Sequence, residues 1–156
     1  MIEYVIFGSG PTLDNADFDS LPKNRIAVNC SAYVVKDCNL VSSIDAVYED
    51  HIVYIAQRLM HRIVTPYTLE VSLARGIDVD NYTLVDICKS STGAAVLYAI
   101  NNGAEKIIMY GIGGVGYAEL MSDYCVYSEK SQRGYDEAKI QWMEYIKNAC
   151  VEIEIR

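Results

Sequence analysis

Apolar residues in this chain fall into two patterns. Short continuous runs, Tyr4-Val5-Ile6-Phe7, Arg25-Ile26-Ala27-Val28-Asn29 and Lys106-Ile107-Ile108-Met109-Tyr110, are closed by glycine, asparagine or a charge. Runs of that length read as strands buried on both faces. Between them lie stretches with helical spacing, of which Ile52 to Met60 is the clearest, with apolar residues at 52, 53, 55, 56, 59 and 60. The pattern predicts strands near 3–7, 25–29, 45–48, 62–65, 82–87, 106–110 and 151–155. It predicts helical segments over 32–40, 52–60, 68–74, from Ser90 or Ser91 as N-cap to Asn101, and over 136–148. Asp14 to Leu21 reads as a polar connector or short helix closed by Pro22.

Strands that alternate with helices predict an α/β fold: a single Rossmann-like domain, a mostly parallel twisted sheet with helices on both faces. At 156 residues the chain suits one domain, 1–156, large enough to bury a core without staples. No repeat, linker or low-complexity segment divides it.

Composition narrows the function classes. Twenty-one acids against 13 bases give a net charge of −8, which disfavours a nucleic-acid partner. The chain has no apolar run near the ~20 residues of a membrane span, so no membrane partner is expected. The first strand begins at the third residue, which predicts a cytoplasmic protein without a targeting segment. Five cysteines, Cys30, Cys38, Cys88, Cys125 and Cys150, are odd in number and contain no C-x-x-C pair. That spacing suits neither a disulfide framework nor a zinc site and predicts buried reduced thiols.

In a parallel sheet the ligand cleft lies outside the strand carboxyl ends. Gly8-Ser9-Gly10-Pro11-Thr12 follows the first strand, where glycines allow φ > 0 or the close approach of a phosphate to the backbone. The dinucleotide fingerprint is incomplete, because Leu13 stands at its third glycine. The same edge collects Asn29, Ser31, Asp50, Ser91, Thr92, Gly93, Gly111, Gly113 and Gly114. Backbone N–H groups there suit phosphate, and the hydroxyls and amide suit a ribose and base. Gly113-Gly114-Val115-Gly116 reads as a mobile loop or a second phosphate nest. Tyr117, Tyr124, Tyr127 and Tyr135 follow in a polar stretch that is either a surface loop or a lid stacking on a ligand. Lys130 and Arg133 are the local cations for a leaving phosphate, and Asp50-His51 is the credible general-base pair. His61, late on a helix, reads as structural.

The run Gly8-Ser9-Gly10-Pro11-Thr12-Leu13, then Asp17-Phe18 and Leu21-Pro22, resembles the opening of bacterial sialyltransferase-like glycosyltransferases of the family 42 type. It also looks like the related MptE-like group, which includes pterin pyrophosphokinases. Ser91-Thr92-Gly93, Gly103 and Lys106 to Ile112 are similar to a second block of those proteins, and the two blocks cover about half the chain. The resemblance implies that Gly8 to Thr12 and Ser91 to Gly93 contact a nucleotide. It puts Ser31 at the family's nucleotide-binding Asn, with Asn29 a substitute on the same strand end, and Asp50 near another polar contact.

Departures from the family are equally specific. The family's general-base histidine follows the second block, and this chain has no histidine after His61. Gly113 replaces the expected acidic residue, and the segment before Tyr135 is much shorter than the family's lid. A pyrophosphokinase would need acidic metal ligands, for which only Asp45, Asp50 and Asp86 stand at strand ends. The expectation is a small transferase that binds a nucleotide or nucleotide-sugar without cofactor or metal, with a non-catalytic nucleotide sequestering or sensing protein as the alternative. A homo-oligomer is expected, and Gly10→Val is expected to block ligand while sparing the fold.

Overall fold

The computed structural model describes residues 1–38, 40–42, 62–64, 90–125 and 128–156. Six strands form one sheet: β1 (Glu3–Phe7), β2 (Arg25–Val28), β3 (Leu40–Ser42), β4 (Arg62–Val64), β5 (Lys106–Tyr110) and β6 (Glu152–Ile155). Their order is β4-β3-β2-β1-β5-β6, and every pairing is parallel. The expected α/β Rossmann-like class is the observed one. Predicted elements at 45–48, 52–60, 68–74 and 82–87 lie outside the described residues.

Strand alternation builds two cores. Val5 and Phe7 of β1, Ala27 of β2, and Ile108 and Tyr110 of β5 face one side. Ile6, Ile26, Val28, Ile107 and Met109 face the other. Among the described residues two α-helices cover the second side: α1 (Ser91–Asn101) and α2 (Glu129–Ile146). Small residues Ala94, Ala95 and Ala99 let α1 lie close against the sheet, and α2 contributes Trp142, 1% exposed. Each large side chain removed from water in this way contributes roughly 1.5–3 kcal/mol. The first side is covered differently. Among the described residues three 3-10 helices, Pro11–Asn15, Asn29–Tyr33 and Glu119–Met121, supply Leu13, Ala32 and Met121 to its core.

Two boundaries differ from the sequence pattern. The last helix starts at Glu129 rather than near Asp136, because Ser128 caps it by accepting the Ser131 N–H at 3.0 Å. The 32–40 segment is a 3-10 turn followed by a short strand instead of a helix. Arg25 fixes this region. Its buried guanidinium donates to the carbonyls of Pro22, Lys36, Leu21 and Phe18, stapling the connector before β2 to the turn after it.

Candidate functional site

Parallel strands bring the carboxyl ends of β2, β1 and β5 side by side at the centre of one sheet edge. The loop after β1 and the loop after β5 interlock there. Gly8 N–H donates to Tyr110 O at 2.8 Å, Gly10 N–H to Gly111 O at 2.9 Å, and Gly111 N–H to Thr12 Oγ1 at 2.8 Å. Ala118 N–H donates to Ser9 O at 2.9 Å. The Asp14 carboxylate accepts Glu119 N–H at 2.7 Å and Leu120 N–H at 3.1 Å, capping the 3-10 helix that follows.

This arrangement corrects the expectation of φ > 0 at the first two glycines. Neither Gly8 nor Gly10 has positive φ. A Cβ at Gly8 would lie 2.5 Å from Gly111 O, and one at Gly10 would lie 2.8 Å from both Gly111 O and Gly113 O. These two positions are glycine because two backbones press together, so Gly10→Val cannot spare the loops. Pro11 has a packing role as well, with its ring 3.4 Å from where a Cβ of Gly114 would stand.

The helix side of the cleft begins at Ser90, whose hydroxyl accepts the Gly93 N–H at 3.2 Å. That bond occupies the Gly93 N–H at the positive end of the α1 dipole, where Ser91 is buried. Ser91 Oγ donates to Asn29 Oδ1 at 3.4 Å, joining the start of α1 to the end of β2. Asn29 itself sits at φ 51, in the left-handed region that asparagine tolerates better than most residues. Ser31 is fully buried. Its hydroxyl accepts Val28 N–H at 2.9 Å and lies 2.7 Å from Phe7 O and 2.9 Å from Val28 O, each in reach of its single proton. Ser31 therefore braces the ends of β1 and β2 from inside, and of the two candidates Asn29 is the one at the cleft surface.

The loop after β5 is tied down by α2. Gln132 Nε2 donates to Gly114 O at 2.9 Å, and its Oε1 accepts Gly116 N–H at 3.2 Å. Further along the same face of this helix, half-buried Lys139 places its ammonium 3.0 Å from where a Cβ of Gly113 would be. Lys130 and Arg133 stand exposed on the first turns of α2, and no bond among the described residues links them to this loop. Lys139 is the cation that sequence reading missed. Tyr117 rests against the first core, Tyr124 stacks on Tyr33 with centroids 4.6 Å apart, and Tyr135 is exposed on α2. The stacking partner of Tyr124 is thus another tyrosine of the chain.

Cysteine placement also departs from expectation. Of the four described cysteines, none in a disulfide, only Cys38 is buried; Cys30 and Cys125 are half-buried and Cys150 is exposed. Cys125 is in hydrogen-bonding contact with Cys30 and with Ser9 of the first glycine loop. Donation from these two groups favours the thiolate and outweighs burial, drawing the Cys125 thiol down to about 7. Asp50, His51, Asp45, Asp86, Tyr127 and Cys88 lie outside the described residues. Among the described residues no group of three His, Cys, Asp or Glu side chains is placed to hold a metal, and no helix is long and apolar enough to cross a membrane.

No family model and no curated protein matches the sequence. Solved structures do match the fold. The sialyltransferase CstII from Campylobacter jejuni, in complex with the substrate analogue CMP-3FNeuAc, superposes with a TM-score of 0.62 at 16% identity. That alignment covers 99% of this chain and 81% of the other. The sialyltransferase CST-II in complex with a trisaccharide acceptor and CMP gives a TM-score of 0.60 at 15% identity, over 98% and 80% of the two chains. The chain therefore has a sialyltransferase-like fold over nearly its whole length.

Proposed function

We propose that this chain is a nucleotide-sugar-binding domain of the glycosyltransferase type, with a CMP-like nucleotide lying across the carboxyl ends of β2, β1 and β5. The observation that carries the reading is the Asn29–Ser91 pair at the N-terminus of α1, next to two interlocked glycine loops. It brings an amide, a hydroxyl and the positive end of a helix to one edge, a combination that suits a nucleotide. The sialyltransferase fold, seen elsewhere with CMP bound, supports a nucleotide ligand.

In a transferase reaction the bond between sugar and nucleotide phosphate breaks, and negative charge grows on the departing phosphate. Lys139 at Gly113 is the group we assign to meet that charge, in place of Lys130 and Arg133. An acceptor hydroxyl must lose its proton, and Asp50-His51 is the base pair we assign to take it. Neither step needs a metal.

One observation favours a second reading, a binder that keeps its nucleotide intact. Both histidines of the chain precede α1, so none arises from the loop after β5 or from α2. A single experiment separates the two readings. Incubation with CMP-linked sugar, with and without simple sugar acceptors, should release CMP if the chain is a transferase, and His51→Ala should abolish release while CMP binding persists. Tight stoichiometric binding with the CMP-sugar recovered intact identifies the binder. Failure of CMP and CMP-sugar to bind at all sinks both.

A further inference from the structure

The carboxamide of Gln132 is engaged at both ends. Its Nε2 donates to Gly114 O at 2.9 Å and to Asp136 Oδ1 at 3.1 Å, while its Oε1 accepts Gly116 N–H at 3.2 Å. The two loop groups flank Val115, whose side chain is 73% exposed and gives the loop tip no apolar anchor. Gly116 supplies none either, with a φ of 86 and nothing within 4 Å of an added Cβ. Among the described residues, Gln132 is the side chain that bonds this tip.

Asp136 decides which way round the amide lies. An ionised carboxylate only accepts, so it holds Nε2 on its own side. Reversed, the amide would set Oε1 against both Asp136 Oδ1 and Gly114 O. Gln132, Asp136 and Lys139 stand at i, i+4 and i+7 of α2 and so share one face. That face fixes the loop at Gly114 and Gly116 and brings the Lys139 ammonium to Gly113.

We propose that Gln132 and Asp136 are positioning residues of the nucleotide site, a latch that keeps the loop after β5 against α2 so that the loop and Lys139 together meet the ligand's phosphate. The inference rests on the CMP-like ligand proposed above and adds what presets the loop for it. Both residues act through the loop rather than on the reacting atoms. A loop already in place has little ordering left to do on binding. A ligand that needs one loop position binds more weakly in proportion to the time the loop spends elsewhere. Release of the latch therefore acts on a phosphate-bearing ligand and spares the nucleoside.

The test compares the full chain with Gln132→Ala, Asp136→Ala and Asp136→Asn by amide hydrogen exchange in NMR and by calorimetric titration with CMP and with cytidine. Alanine suits a helix interior, and unchanged exchange in β1 and β5 certifies that each variant is folded. Gln132→Ala should speed exchange of the Gly116 N–H by about fivefold or more, as the loss of one ordinary hydrogen bond implies. It should weaken CMP by a similar factor and leave cytidine unchanged. Asp136→Ala should move both readouts in the same direction, and Asp136→Asn, which keeps an acceptor oxygen, should restore them. Unchanged Gly116 exchange in Gln132→Ala overturns the latch, and faster exchange with unaltered CMP affinity overturns its role in positioning. Equal losses for CMP and cytidine do the same, and Asp136→Asn as impaired as Asp136→Ala removes Asp136 from the latch. Wild-type protein that binds no CMP removes the nucleotide reading and this proposal with it, a failure distinct from all of these because the Gly116 exchange is read without ligand.

Discussion

Gly8 and Gly111 meet backbone to backbone: a single Cβ on Gly8 would sit 2.5 Å from the Gly111 carbonyl oxygen. The contact is what brings the loop after β1 and the loop after β5 into one structure, and Gly111 adds a φ of 69. Gly8→Ala must therefore push the two loops apart, because its obstacle is a main-chain atom with no rotamer to escape into. Overpacking of this kind costs about 1–3 kcal/mol. Urea denaturation of Gly8→Ala should give a loss in that range, whereas Gly134→Ala, with nothing within 4 Å of its added methyl, should be neutral or stabilising. Equal stability of Gly8→Ala and wild type would remove the interlocked-loop account.

Asn29 separates a conformational role from a binding role. Its φ of 51 favours Gly or Asn, while its side chain receives the Ser91 hydroxyl. Asn29→Ala should lose stability on the order of 1 kcal/mol from backbone strain. Asn29→Gly should recover that stability and still fail to bind CMP, as read by calorimetric titration beside a melting curve. Binding that returns with Gly would mean that the backbone, and not the amide, matters at this position.

The parts of the fold legible in sequence were those with strong local causes. β1 and β5 are apolar runs buried on both sides, and Ser90 is a cap followed by a small-residue helix. The start of α2 was not legible, since 129–135 is polar and holds Gly134; the Ser128 cap and contacts to the glycine loop hold it. β3 is only three residues long, too short for an alternation to register. In the site, the ends of β2, β1 and β5 lie side by side as expected, while the packing role of Gly8 was hidden, because nothing local reveals that Gly8 faces Gly111. Lys130 and Arg133 were chosen for being near the glycine run in sequence. Lys139 reaches it instead because it lies seven residues, two helical turns, beyond Gln132 and so on the same face.

The Cys125 thiol, drawn down to about 7 by hydrogen bonds from Cys30 and then Ser9, fixes the sign of a pH effect. Its folded pKa is below the usual thiol value of 9.0, so between pH 7 and 9 the unfolded chain binds more protons. The stabilisation is fully present above 9 and is lost as pH falls through about 7. Stability should thus rise from pH 7 to 9 in wild type relative to Cys125→Ser, measured by paired urea titrations. Iodoacetamide labelling of Cys125 should show its midpoint near 7 as well. A midpoint near 9 would show that Cys30 and Ser9 do not act on it.

Lys139 gives the sharpest functional prediction. Its ammonium beside Gly113 sits at the end of β5, half-buried, on a loop that Gln132 already holds in place. A hydrogen bond to a charged group contributes about 1.5–3 kcal/mol, roughly tenfold or more in affinity. Lys139→Met should weaken CMP binding by that factor while leaving cytidine, which has no phosphate, unchanged. Lys130→Met should leave both ligands unchanged. Because Met keeps most of the apolar stem, any loss confined to CMP is assigned to charge and not to packing. Equal losses for CMP and cytidine would instead make Lys139 a support for the loop, and an effect of Lys130→Met matching that of Lys139→Met would return the phosphate to the start of α2.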